Sequence, residues 1–235
     1  MRPFIKPEEA QAFWQEVWDG FEIKLTVPPM PALEPERVRA LESFGFLIMY
    51  LPPLTEDEYP ARFVTLDWKE ITEWGAERLP LTGAWVAIET VAKPVAKIGG
   101  PEHPADDPLK ALSDFYPRNE ISRDALYASG LRTIARVLGF PTERVRLPSA
   151  EEWNFAGNVF SWLRQKRGMG LPDLGTRGVH EWTRNNSRSR SRPADTWCLY
   201  VGGVGGSVNA LDDVRTVSSA LGYTHVVFRL LIELS

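Results

Sequence analysis

Nineteen prolines and nine tryptophans, scattered along 235 residues, restrict this chain more than any other feature of its sequence. Proline removes a backbone donor and fixes φ, so it interrupts helices and stays out of central strands. Tryptophan buries a large apolar area while its indole N–H asks for a partner. A chain punctuated in this way folds into short elements joined by irregular connections, with large aromatics as anchors, which suits an α+β protein with long loops. Packing must supply the stability, because one cysteine, Cys198, can form neither an internal disulfide nor a four-thiolate zinc site. Apolar residues at 43% provide enough material for a sizeable core.

A formal net charge of −4 and a pI near 5.5 give no overall electrostatic reason to expect a nucleic-acid partner. The chain reaches Glu8 and Glu9 before any apolar stretch that could serve a signal peptide. Its longest apolar run, Phe44 to Leu51, is far shorter than the roughly 20 residues that cross a bilayer. It therefore reads as soluble, without membrane insertion, and as cytoplasmic or of undetermined compartment.

Ala10, Phe13, Trp14, Val17 and Trp18 recur at helical spacing, with Pro7 suited to the first turn and Gly20 to the end. Phe21 to Val27 alternates apolar with polar and reads as a half-buried strand. Glu34 to Ser43 reads as a helix, and Phe44 to Leu51 as a buried strand closed by Pro52 and Pro53. Arg62 to Leu66 and Ala84 to Val91 are further strand candidates, Trp68 to Glu77 a helix, and Lys97 to Asp107 a loop and candidate boundary. Glu120 to Leu138 reads as a helix ended by Gly139. Ser149 and Glu152 stand at capping-box spacing, so a helix is expected to start at Ala150. Gly168 to Asp195 shows little periodicity and reads as a long surface connection around Glu181 and Trp182. Within it, the run from Ser187 to Arg192 reads as a solvated loop in preference to a binding patch. From Trp197 short β-rich runs alternate with glycine pairs and end in a strand over Val226 to Ile232.

Arg146-Leu-Pro-Ser-Ala-Glu-Glu-Trp153, Gly170-Leu-Pro-Asp-Leu174 leading to Val179-His-Glu-Trp-Thr183, Gly205-Gly-Ser207, Asp213-Val-Arg215 and Phe228-Arg-Leu230 follow one another over about ninety residues. Five pieces in this order resemble the formylglycine-generating (sulfatase-modifying) family. The resemblance implies a C-type-lectin-like α+β fold of that family's type for residues 101–235. Residues 1–100 would form an N-terminal α/β elaboration of unknown role, separate or packed into the same domain. The connection before Val179 carries one residue more than the family's, Arg177-Gly178 stand where it usually has Gly-Asn, and Val227 replaces a common glycine. Trp153, Trp182 and Phe228 are expected to anchor the core rather than to touch a ligand.

The chemistry departs further. The family's oxidative catalysis resembles copper(I)-thiolate chemistry, which uses two soft cysteine ligands shortly after the Gly-Gly-Ser motif. Ala210 and Arg215 occupy those places, and Cys198 precedes the motif alone, as suits a small buried hydrophobe. A second enzymatic branch resembles the non-haem iron sulfoxide synthases, which use three histidines. His103, His180 and His225 lack the closely spaced helical pair that such a site uses. The expectation is a chain with no catalytic residues, no metal ligands and no cofactor. Asp212 and Asp213 could contribute to a calcium site, but calcium takes roughly six to eight oxygens, and a surface or salt-bridged role suits them better.

A further branch with this lectin-like fold comprises the variable proteins of diversity-generating retroelements, whose C-terminal segment is mutated at template adenines. Asn codons altered at their two adenines never give Lys, Glu, Gln, Met or Trp. Tyr200 to Ile232 contains none of these five types, where whole-chain composition leads one to expect roughly six. Buried, glycine-rich strands also avoid Lys and Glu, so the deficit has a packing reading beside the diversification reading. On the latter, Gly205, Gly206, Ser207, Arg215, Phe228 and Arg229 are scaffold within a display segment of about 183–227. Ligand contact would fall to Tyr200, Val204, Val208, Asn209, Leu211, Asp212, Val217, Ser218, Ser219, Leu221, Tyr223, Thr224 and His225, a mixture of aromatic anchors and small polar groups workable for a paratope. Val217 and Leu221 have a core-facing alternative. The partner would be a protein or a glycan, with the oligomeric state left open. The other functional readings are a divergent enzyme of the same superfamily and a fixed-specificity sugar-binding module.

Overall fold

The computed structural model describes residues 4–66, 78–91, 130–169, 180–188, 196–202, 217–220 and 226–235. The expected helix at Trp68 to Glu77, the loop at Lys97 to Asp107 and the first part of the helix from Glu120 lie outside them.

Helix α1, Pro7–Gly20, begins with proline in its first turn and turns Ala10, Trp14, Val17 and Trp18 inward, as the spacing predicts. Helix α2, Pro35–Ser43, follows, then β1, Phe46–Leu51, whose six residues are all buried. Strand β2 spans Ala84–Glu89. Helix α3, Leu131–Leu138, stops at Gly139, whose φ of 74° is the left-handed conformation that glycine adopts without a Cβ penalty. After the two-residue β3, Val145–Arg146, comes α4, Ala150–Arg167, the longest helix among the described residues. Its start has the expected box: Ser149 Oγ accepts from Glu152 N (3.0 Å), and Ser149 N donates to Glu152 Oε2 (2.7 Å). The remaining strands are β4, His180–Arg188; β5, Thr196–Gly202; β6, Val217–Ala220; β7, Val226–Phe228; and β8, Leu231–Glu233.

The fold is mixed α+β, with two small sheets among the described residues. The first, in the order β1-β2-β8-β3, is antiparallel throughout and joins strands from both ends of the chain. The second, in the order β6-β5-β4-β7, is antiparallel except for the parallel pair β4 and β7. Helices α1 and α2 both pack on β1. Strand β1 lies at the edge of its sheet, and the Trp14 indole donates to its Ile48 carbonyl (2.8 Å), giving that buried acceptor a partner. Aromatic rings tie α1 to α4: Trp18 stacks on Trp14 and meets Phe155, while Phe21 meets Trp162 and Phe63. The anchors expected from the tryptophan count are therefore present.

Several expected elements differ. Phe21 to Val27 joins no sheet, because glutamine side chains of α1 take its backbone groups: Gln15 accepts from Val27 N (2.8 Å) and donates to the Leu25 carbonyl (3.0 Å), and Gln11 donates to the Val27 carbonyl (2.9 Å). Arg62 to Leu66 joins none either. Asn158 accepts from Val64 N (2.8 Å), and Asn154 and Asn158 both donate to the Val64 carbonyl (2.9 Å each). Side chains of α4 thus do for this segment what a neighbouring strand would do.

The presumed surface connection from Gly168 to Asp195 contains β4, an interior strand of the second sheet, and the presumed loop from Ser187 begins inside it, Ser187 and Arg188 pairing with Trp197 and Thr196. Polar residues hid this strand. Glu181, Thr183 and Asn185 are buried, and the register shifts between Trp182 and Asn186, which breaks the alternation that marks a strand in sequence. The expected single strand Val226 to Ile232 divides into β7 in the second sheet and β8 in the first, with Arg229 and Leu230 at the crossing.

Candidate functional site

Three motif residues, Trp153, Glu181 and Arg229, converge at that crossing. Arg229, fully buried, donates from Nε and Nη2 to the two carboxylate oxygens of Glu181 (2.8 and 2.7 Å), and from Nη1 to the Glu89 carbonyl (2.6 Å). Glu181 also accepts from the Trp153 indole of α4 (3.0 Å). Glu89, the last residue of β2, accepts from Leu230 N through its carboxylate (2.9 Å), and its own N–H donates to the Leu230 carbonyl (3.0 Å). One buried cluster thus joins β2, α4, β4 and the turn between β7 and β8. Its fork-to-fork arginine–carboxylate geometry fixes orientation as well as charge.

A second cluster adjoins it at the start of α4. Arg146 donates to both oxygens of Glu152 (2.8 Å each) and to Glu233 of β8 (2.6 Å). Burial disfavours the charged form of Glu152, but the bonds and charge of Arg146 outweigh it and hold that carboxyl below its ordinary range. Ala150 N donates to Asn185 Oδ1 (2.7 Å), and Asn185 Nδ2 donates to Glu151 Oε2 (3.0 Å), which fastens α4 to β4. Glu151 also accepts from Leu79 N (2.7 Å); burial leads its environment and lifts its carboxyl above the ordinary range. The hydroxyl of Tyr59 nearby is raised too, by burial first and then by the charges of Glu56, Glu151 and Glu152.

Trp153, Trp182 and Phe228 are buried, in keeping with their expected anchoring role. The bonds of Arg146, Glu152, Trp153, Glu181 and Arg229 run to other parts of the same chain, so these side chains act as braces. Sequence order pointed to them, and the same motif piece contains Glu151, but it missed Glu89, Asn154, Asn158 and Asn185. Two signals were available: a glutamate closing the apolar run Ala84-Trp-Val-Ala-Ile88, and two asparagines four residues apart on one helix face.

Of the proposed ligand-contacting residues, Tyr200 lies on β5 and Val217, Ser218 and Ser219 lie on β6, where Tyr200 pairs with Ser218, Leu199 with Ser219 and Val201 with Val217. Tyr200 also stands opposite Trp182 on β4. Val204, Val208, Asn209, Leu211, Asp212, Leu221, Tyr223, Thr224 and His225 lie outside the described residues. So do Gly205, Gly206, Ser207, Ala210, Asp213, Arg215 and His103. Cys198 pairs with Asn186 and Ala220, and His180 with Gly202 and Val226, as backbone positions.

Among the described residues no group of three or more His, Cys, Asp or Glu side chains is gathered as a metal site, and no helix is long and apolar enough to cross a membrane. Comparison with protein-family models, curated proteins and solved structures finds no match to this chain.

Proposed function

We propose that the chain is a non-catalytic display protein with a C-type-lectin-like fold of the formylglycine-generating type, most similar to the variable proteins of diversity-generating retroelements. The observation that carries this reading is the buried cluster of Trp153, Glu181, Arg229 and Glu89. It joins three of the five motif pieces through bonds that brace the fold, and it frees the intervals between the pieces to vary without loss of the core. The thirteen candidate positions from Tyr200 to His225 fall in those intervals. Ala210 and Arg215, standing where the family's paired cysteines would be, favour binding over oxidative catalysis. The ligand would be a protein or glycan met by side chains of mixed chemistry on a braced scaffold.

Sequencing of the gene across a population, with a search of the flanking DNA for a near-repeat and a reverse transcriptase, tests the reading. Substitutions concentrated at template adenines in codons 183–227 are expected, with Glu181, Phe228 and Arg229 constant. An invariant segment without a template repeat overturns diversification and leaves a fixed lectin. Conversion of a cysteine in a sulfatase peptide by the chain supplied with copper(I) overturns the non-catalytic reading.

A further inference from the structure

Between α1 and α2 the chain runs Val27-Pro-Pro-Met-Pro-Ala-Leu-Glu-Pro35. Each proline fixes its own φ at about −65°, and a residue that precedes proline is pushed out of the helical region into an extended one. Within these nine residues only Ala32 and Leu33 are neither proline nor followed by one. Such a run favours the polyproline II helix, which turns once every three residues and uses no internal hydrogen bond.

Three observations agree with that conformation. Glu34, just before α2, has φ −62° and ψ 142°, close to the polyproline II values of about −75° and about 145°. Burial repeats at every third residue: Val27 is buried, and Met30 and Leu33 are half-buried against the core. The carbonyls of Pro29, Met30, Pro31, Ala32 and Leu33 accept no hydrogen bond among the described residues, although that of Val27 takes Gln11 and that of Pro28 takes the Trp85 indole (3.1 Å).

A helix of this period has three ridges. Val27, Met30 and Leu33 form the one laid on the core. Pro28, Pro31 and Glu34 form the second, open to solvent except for the half-buried Pro31; Pro29, Ala32 and Pro35 form the third and are all exposed. An aromatic-lined groove grips a segment of this kind by its prolines, and indole or phenol groups in the groove bring donors for the carbonyls between them. Because the first ridge is pinned, the segment is ordered before it meets a partner, which lowers the entropy lost on association. Glu36 is paired with Arg39 (3.1 Å), whereas the exposed Glu34 makes no capping bond, so one free carboxylate marks the end of the second ridge.

We propose that residues 28–35 are a docking ridge for a partner protein whose aromatic-lined groove reads polyproline II segments and ends in a basic side chain that meets Glu34. The prolines supply the contact area, and the charge pair sets the direction in which the groove reads them. The ridge lies in the N-terminal region and stands apart from the display reading.

The test titrates the full ¹⁵N-labelled chain with a WW domain whose groove pairs tyrosine with tryptophan and ends in arginine. The Met30, Ala32, Leu33 and Glu34 amides are expected to shift together and saturate, and to stay in place when the groove tryptophan is replaced by alanine. Pro29→Ala removes an exposed ring and is expected to weaken binding by about tenfold with urea unfolding little changed. Glu34→Gln is expected to weaken it by about threefold or more. The Ala32 N–H makes no hydrogen bond among the described residues, so Ala32→Pro is expected to leave the fold intact and to tighten binding by about threefold through a stiffer ridge. Absence of shifts up to about 1 mM domain overturns the proposal and leaves the segment a connector between helices. Shifts that survive loss of the groove tryptophan, or an affinity indifferent to both Pro29→Ala and Glu34→Gln, overturn it as well. Unfolding of the chain by Ala32→Pro removes its conformational basis.

Discussion

Replacing Arg229 with methionine removes a fully buried guanidinium and leaves a side chain of similar reach without charge. Glu181 then loses both charge-assisted bonds, at 2.8 and 2.7 Å, and keeps the Trp153 indole at 3.0 Å; the Glu89 carbonyl loses a donor at 2.6 Å. A buried carboxylate stripped of its ionic partner typically costs about 3–5 kcal/mol. For a chain of this size that lowers the thermal midpoint by on the order of 10 °C. The double variant Arg229→Met with Glu181→Gln removes the stranded charge, while the glutamine carbonyl still accepts from Trp153. It should therefore recover about 2 kcal/mol relative to the sum of the two single changes. Urea unfolding of the parent, both single variants and the double variant measures this coupling, and a common slope shows that one transition is being compared. A cost below about 1 kcal/mol for Arg229→Met, or strict additivity, refutes the bracing role given to the pair.

Three further outcomes follow from the same geometry. Ser149→Ala removes the buried cap of α4 and should cost about 1–2 kcal/mol in urea unfolding; Ser149→Asp, which can still accept from Glu152 N but places a charge beside that carboxylate, should not fully restore it. Asn158→Leu frees Val64 from its side-chain clamp, and hydrogen exchange at the Val64 amide should quicken by about tenfold or more while the α4 amides stay protected; unchanged exchange would show that Asn158 does not hold the segment. Burial raises the Glu151 carboxyl, so the stability tied to its neutral form is fully present below the ordinary glutamate range and is lost as pH rises through the raised value. Glu151→Gln keeps an uncharged acceptor for Leu79 N, and its stability relative to the parent should increase as pH rises above the ordinary glutamate range; a difference constant with pH contradicts the assignment.

Sequence order singled out Trp153, Glu181 and Arg229, which the fold gathers into one cluster, but it gave no means of pairing them. Glu89 lies 140 residues from Arg229 along the chain, and no local pattern links the two. Of the display positions, Tyr200 and Val217 to Ser219 take defined places in strands, and their register is a property of β5 and β6 together.

What the sequence determined by itself was local: the proline at the start of α1, the capping box of α4, the stop at Gly139 and the buried runs of β1 and β2. Each is decided within a few residues, where a cap, a left-handed turn or an apolar period acts on its own neighbourhood. Only the tertiary structure decided which backbone groups pair with which. Residues 21–27 and 62–66 have strand-like patterns, yet Gln11, Gln15, Asn154 and Asn158 claim their donors and acceptors. Strand β4 lacks an apolar alternation, yet it lies inside a sheet because remote partners satisfy Glu181 and Asn185. The run from Val226 to Ile232 divides between two sheets because Glu89 and Glu181 hold Arg229 and Leu230 at the crossing. A backbone hydrogen bond is available to any acceptor within reach, and reach across the chain is settled only when the core closes.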